Sequence, residues 1–174
     1  MLNLSNAPGV MQAINAAGYA VEQRDNLLFA IRTSDGATGT DIDAAVQQID
    51  AAYPVATAAD HVCKAIEVLA TTKRNLVIAP YSPGEMAAWP IKRAEALAYQ
   101  ASANTADAPN LQAEANARGM ALATLVEKVL ADAQRFSAVE AAIAGTSGRH
   151  RDAVKNLSTH AAIAAYNYMS GWPL

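Results

Sequence analysis

Ser82-Pro83-Gly84-Glu85-Met86-Ala87-Ala88-Trp89-Pro90 is the stretch on which the fold reading turns. Ser82 is a good N-cap, Pro83 suits the first helical position, and Glu85 stands three residues after the cap, where its charge complements the free N–H groups. These residues start a helix. Pro90 falls inside it, and an interior proline removes one backbone hydrogen bond and crowds the preceding turn. The reading therefore predicts a kink, or a break at Trp89, with that indole wedged at a corner. A following helix over about residues 90–101 is expected to end in Ser102-Ala103-Asn104-Thr105. Asp107 and Pro109 restart the helical pattern, and Gly119 closes the short helix 109–118 in a left-handed C-cap.

Downstream, Leu122, Leu125, Val126, Val129, Leu130, Ala133, Phe136, Val139 and Ile143 recur at helical spacing, which predicts one long amphipathic helix over residues 121–144. Gly145-Thr146-Ser147-Gly148 is expected to interrupt it, and a short helix over 161–168 to follow. Upstream, Ala59, Val62, Cys63, Ile66 and Leu69 mark one face of a helix starting near Thr57, with Leu76-Val77-Ile78-Ala79 continuing it. Thr40 and Asp43 form an acidic capping pattern ahead of Ile42, Ala45, Val46, Ile49 and Tyr53, and Pro54 closes that helix. Residues 19–23 and 27–32 carry β-branched and aromatic residues around Arg24-Asp25-Asn26 and predict a hairpin. Pro8 begins a first helix that Gly18 ends. The expected fold is mainly α: a small N-terminal α+β lobe with one β-hairpin, followed by a kinked helical bundle or extended helical domain. The expected divisions are residues 1–55 for the lobe, 56–155 for the helical domain, and 156–174 for a short helix with an aromatic tail.

Hydrophobic residues make up 52% of the 174, but aromatics only 6%, and alanine supplies roughly a quarter of the chain. Cores built from such residues are thin and close-packed, and their apolar stripes invite completion by another chain, so a homo-oligomer is a possible state. A net charge of −3 gives no basic footprint for nucleic acid. The first residues lack the basic start and apolar run of a secretory signal and no window is long enough to span a membrane, so the expectation is a soluble protein made in a cytoplasm. Cys63 is the only cysteine, which rules out an intrachain disulfide and a cysteine-based zinc site.

Asp35, Asp41 and Asp43 lie among glycines but lack the oxygen alternation and distant glutamate of a calcium loop. His61, His150 and His160 share no ligand spacing. No serine sits in a nucleophile elbow, and Gly145-Thr146-Ser147-Gly148 lacks the lysine of a phosphate loop. These patterns give no catalytic residue, cofactor or metal site. Cys63, on an apolar face, reads as core. Arg149, His150, Arg151 and Lys155 form the one basic cluster and read more simply as a solvated helix end than as a dock for an acidic partner or phosphate. Tyr166, Tyr168 and Trp172 are rings with polar tips near the chain end, the type that anchors interfaces, with core packing the equal alternative.

The segment Trp89-Pro90-Ile91-Lys92-Arg93-Ala94-Glu95-Ala96-Leu97-Ala98-Tyr99, followed by Ala108-Pro109-Asn110-Leu111, Ala117-Arg118-Gly119 and Leu125-Val126-Glu127-Lys128-Val129-Leu130-Ala131 with Phe136, resembles the helical C-terminal domain of bacteriophage tail-fibre assembly and baseplate-associated small tail proteins. The likeness covers about residues 82–155, and the chain departs from it in Gly145–Gly148 and the aromatic tail. The resemblance implies a non-enzymatic structural protein of a phage tail, at the baseplate or tail-fibre attachment, that binds a fibre or receptor-binding protein. Such a protein is assembled in the bacterial host cytoplasm and carried in the virion tail. The alternative it implies is a tail-fibre assembly chaperone that leaves before the virion matures. On this reading Trp89 stands at the kink, and Trp89, Tyr166, Tyr168 and Trp172 contact the partner.

Overall fold

A computed structural model describes residues 2–173 and shows a mainly helical chain with one two-stranded antiparallel hairpin near its start. The elements run α1 (Val10–Ala16), β1 (Tyr19–Arg24), β2 (Leu27–Arg32), α2 (Thr40–Ala52), α3 (Val55–Ile78), α4 (Pro83–Ser102), a 3-10 turn (Thr105–Asp107), α5 (Pro109–Arg118), α6 (Leu122–Lys155) and α7 (His160–Ala165). Mainly α with a single hairpin is the class expected from the sequence. Asp25 and Asn26 both take positive φ (50° and 63°), which suits a two-residue turn whose twist matches the strands it joins. They set the register from Arg24↔Leu27 to Tyr19↔Arg32.

The chain forms two compact units. One comprises residues up to Ala70 with Thr146–Gly171; the other comprises Thr71–Gly145 with the residues from Trp172. Both α3 and α6 are therefore shared, whereas the sequence suggested linear cuts near residues 55 and 155. Hydrophobic spacing marks helices one at a time and carries no information on which distant segments return to the same core.

In the first unit α1 packs on β1 and α2, and α2 on β2. Val10, Ile14, Val46, Ile66, Val154 and Ile163 are almost wholly buried. Two carboxylates fasten it. Asp43 Oδ1 accepts from Ala30 N at 3.0 Å, tying α2 to the hairpin. The buried Asp50 accepts from the Ser5 amide at 2.9 Å and from the Ser5 hydroxyl at 2.6 Å. Gly9, at φ 86°, precedes α1 where any side chain would run into His61 and Tyr53, so this position needs glycine for space as well as for conformation.

In the second unit Ser82 caps α4, its hydroxyl accepting from Glu85 N at 3.2 Å. Ala96, Ala108, Leu111, Ala115, Leu122, Leu125 and Val126 form one buried cluster, with Tyr99 and Met120 packed against it. Glu95 reaches across to the start of α5, where its carboxylate accepts from Leu111 N at 3.0 Å and from the Asn110 side chain. A negative charge there also meets the positive end of the α5 dipole. Lys92 pairs with Glu114 at 2.7 Å, and Glu114 also holds Arg118. Gly119 takes φ 63° as the C-cap of α5, as its position in the sequence predicts.

Two expectations are corrected. α4 does not break at Trp89 and restart at Pro90; it is one helix of 20 residues with Pro90 inside it. Pro90 is exposed, and the helix runs through it despite the one backbone donor that a proline removes. Gly145-Thr146-Ser147-Gly148 does not interrupt α6, which continues to Lys155 over 34 residues. Its buried face continues through Ile143, Ser147, His150 and Val154, a 4-3-4 spacing that keeps one side of a helix covered. Two polar residues on that stripe hide it from a hydrophobic reading.

Candidate functional site: an aromatic-walled cleft

A cleft of about 210 Å³ opens in the first unit, lined by Pro8, His61, Val62, Ala65, Ile163, Ala164, Tyr166 and Tyr168. α3 brings His61, Val62 and Ala65, one helical turn apart; α7 brings Ile163 and Ala164 and leads into the two tyrosines. Thr159 starts α7, its hydroxyl accepting from Ala162 N at 3.2 Å. Val62 and Ile163 are buried and give an apolar floor, while His61, Tyr166 and Tyr168 are half-buried around it. His61 Nε2 lies 2.9 Å from Gln12 Oε1; since an amide oxygen only accepts, the ring donates there.

The volume is below the roughly 300–1,000 Å³ of small-molecule sites and is on the scale of one inserted side chain. Its lining contains no carboxylate and no serine, cysteine or lysine, the side chains on which acid–base and covalent catalysis commonly rely. Among the described residues no group of three or more His, Cys, Asp or Glu is arranged to hold a metal ion, and no described helix is long and apolar enough to cross a membrane. What the arrangement offers chemically is apolar contact with ring edges and polar tips.

Of the four residues singled out for partner contact, Tyr166 and Tyr168 line this cleft together. Trp89 belongs to the second unit, where its ring meets Tyr81 edge-on (centroids 4.9 Å, 83°) and Phe136 (5.3 Å, 65°). Trp172 also groups with the second unit and is half-buried. Near the Trp89 stack, Arg74 forks onto Glu140 with contacts of 2.8–3.0 Å, and the hydrogen bond to that carboxylate raises the guanidinium above its ordinary pKa.

His61, Pro8 and His150 were not singled out as site residues by the sequence reading. The basic cluster does lie at the end of α6, which closes at Lys155, but it is not all solvated. His150 is 4% exposed within α6, its Nδ1 2.8 Å from Tyr166 Oη and its Nε2 2.9 Å from Ser170 O. Arg151 pairs with Glu67 at 3.0 Å, and Arg149 and Lys155 are exposed. The usable signal was the spacing Ile143, Ser147, His150, Val154. Cys63 is buried as expected, and burial, ahead of the opposing charges of Lys155 and Asp60, pushes its thiol pKa up. No protein-family model, curated protein or solved structure matches the chain.

Proposed function

We propose that this chain is a non-enzymatic structural protein of a phage tail, seated at the baseplate or tail-fibre attachment, where it binds a fibre or receptor-binding protein. The observation that carries the reading is the ordered cassette after Ser82. The residues on which the resemblance rests include Ala96, Ala108, Leu111, Leu125 and Val126, and these meet in one buried cluster. The motifs of the resemblance thus contribute to one buried cluster of the second unit. Glu95, from the Ala-Glu-Ala core, caps the helix opened by Pro109. On the same unit Leu76, Ile91 and Leu97 are 58%, 55% and 45% exposed, apolar surface that a protein partner can cover. The cleft with Tyr166 and Tyr168 supplies a second, aromatic contact of the kind enriched at interface centres.

The test is co-expression with the fibre or receptor-binding protein encoded beside it, followed by size-exclusion chromatography and mass spectrometry of purified virions. A stable complex and retention in the particle are expected. A complex without retention turns the reading to an assembly chaperone, and the absence of both complex and retention overturns the phage-tail proposal.

A further inference from the structure

One imidazole holds both ends of a loop. After α7 the chain runs Tyr166-Asn167-Tyr168-Met169-Ser170-Gly171 and folds on itself: Met169 N donates to Asn167 Oδ1 at 3.0 Å, and Ser170 Oγ donates to Asn167 O at 3.4 Å. The loop's two ends return to His150, Tyr166 by its hydroxyl and Ser170 by its carbonyl. The rings of His150 and Tyr166 also meet edge-on, 5.7 Å between centroids. Beyond the second end, Gly171 takes φ 73° where a side chain would press on the Arg149 guanidinium, and Thr146 Oγ1 donates to Gly171 O at 3.4 Å.

The chemistry of these partners fixes the ring. A backbone carbonyl can only accept, so Nε2 carries hydrogen toward Ser170. In a neutral ring Nδ1 is then bare and accepts from the Tyr166 hydroxyl, which satisfies both nitrogens of a side chain with almost no access to water.

We propose that His150, its Nε2–H donated to the Ser170 carbonyl and its Nδ1 bonded to the Tyr166 hydroxyl, is the positioning residue of the aromatic cleft. It clasps the 166–170 loop at both ends and thereby sets Tyr166 and Tyr168 as the cleft wall. The inference stands on the geometry of the first unit and is independent of the phage-tail reading.

The test begins with the unaltered protein. A long-range ¹⁵N–¹H spectrum of its histidines at neutral pH shows which ring nitrogens carry hydrogen, and Nε2 of His150 is expected to carry one; a bare Nε2 overturns the proposal. Hydrogen exchange of the 166–171 segment is then compared across variants. His150→Phe keeps a ring but loses both hydrogen bonds, and exchange there is expected to rise at least about tenfold. His150→Gln, whose amide accepts and donates, is expected to restore much of the protection. Tyr166→Phe, which releases one end only, is expected to fall between. Exchange unchanged in His150→Phe, or no difference between the Phe and Gln variants, overturns the clasp. Should His150→Phe fail to fold, the spectrum and Tyr166→Phe decide: unaltered exchange in Tyr166→Phe overturns it, and an increase supports it.

Discussion

The two units are stabilised in different ways. In the second, every buried residue described is apolar, and four of the eight are large aliphatics, three of which cluster with alanines and a valine. Its ionic ties, Lys92 to Glu114 and Arg74 to Glu140, lie at the surface or half-buried. The first unit buries Asp50, Ser147 and His150 among its aliphatic residues, and fastens Asp50 and His150 with hydrogen bonds to segments far away in sequence. An alanine-rich core is specified by volume, so helices may approach closely but have few features that fix one arrangement. A core with buried polar groups is specified by pairing, because each group costs stability in any arrangement that leaves it unmatched. The first unit must bring together discontinuous segments, which is where pairing is most useful.

Removing volume should therefore hurt the second unit most. Leu111 is fully buried in the α4–α5–α6 cluster, and Leu111→Ala is expected to cost about 3 kcal/mol, the transfer loss plus an unfilled cavity. A urea titration followed by Trp89 fluorescence measures it; a loss below ~1 kcal/mol means that the alanine-rich core collapses onto the gap and volume is not what specifies it. The corresponding blow to the first unit is Asp50→Ala, which strands the Ser5 amide and hydroxyl. Its expected cost is about 2 kcal/mol, with Asp50→Asn, which keeps an accepting oxygen, costing less. Equal effects from Ala and Asn would show that the charge, and not the pairing geometry, matters.

The same contrast explains what was legible beforehand. Punctuation was readable wherever one residue type has one local solution: Ser82 as cap, Gly119 as left-handed C-cap, and the Asp25-Asn26 turn. Tyr166 and Tyr168 could be singled out because rings with polar tips have few uses. Gly145–Gly148 misled because the local preference there is weaker than the packing that overrides it, and Pro90 because α4 runs through an exposed proline. Two glycines cost roughly 1 kcal/mol each in a helix, less than the burial of Ile143 and Val154 on the same face contributes. His150 and His61 were not legible as site residues, since the partners that give them roles, Ser170, Tyr166 and Gln12, lie 16 to 49 positions away.

A pair of opposite exchanges sharpens the point about weak local preferences. At Gly145 and Gly148 a Cβ would meet nothing within 4 Å, so alanine at either is expected to stabilise α6 by about 0.5–1 kcal/mol. At Ala103 the C-cap of α4 holds φ 54°, a left-handed conformation that glycine adopts without steric cost, so Ala103→Gly should stabilise by a similar amount. Thermal unfolding of the three single variants measures this. A lower Tm for Gly145→Ala or Gly148→Ala would mean that the glycines are kept for close approach by something else.

The smallest expected effect concerns alkaline pH and falls on the first unit alone. Burial raises the pKa of both Cys63 and Tyr53, and both belong to that unit. An unfolded thiol releases its proton near ~8.5 and an unfolded phenol near ~10. Above each of those values the unfolded chain binds fewer protons than the folded one, so stability falls as pH rises. Below them the contribution is fully present. In the second unit the raised group is Arg74, which keeps its charge throughout this range and adds no such slope. The urea midpoint of the parent protein is therefore expected to fall between pH 7.5 and 9.5, and to fall less in Cys63→Ala; Tyr53→Phe should flatten the further decline above pH 10. If Cys63→Ala tracks the parent across that interval, the buried thiol is not what couples the first unit to alkaline pH, and its burial serves packing only.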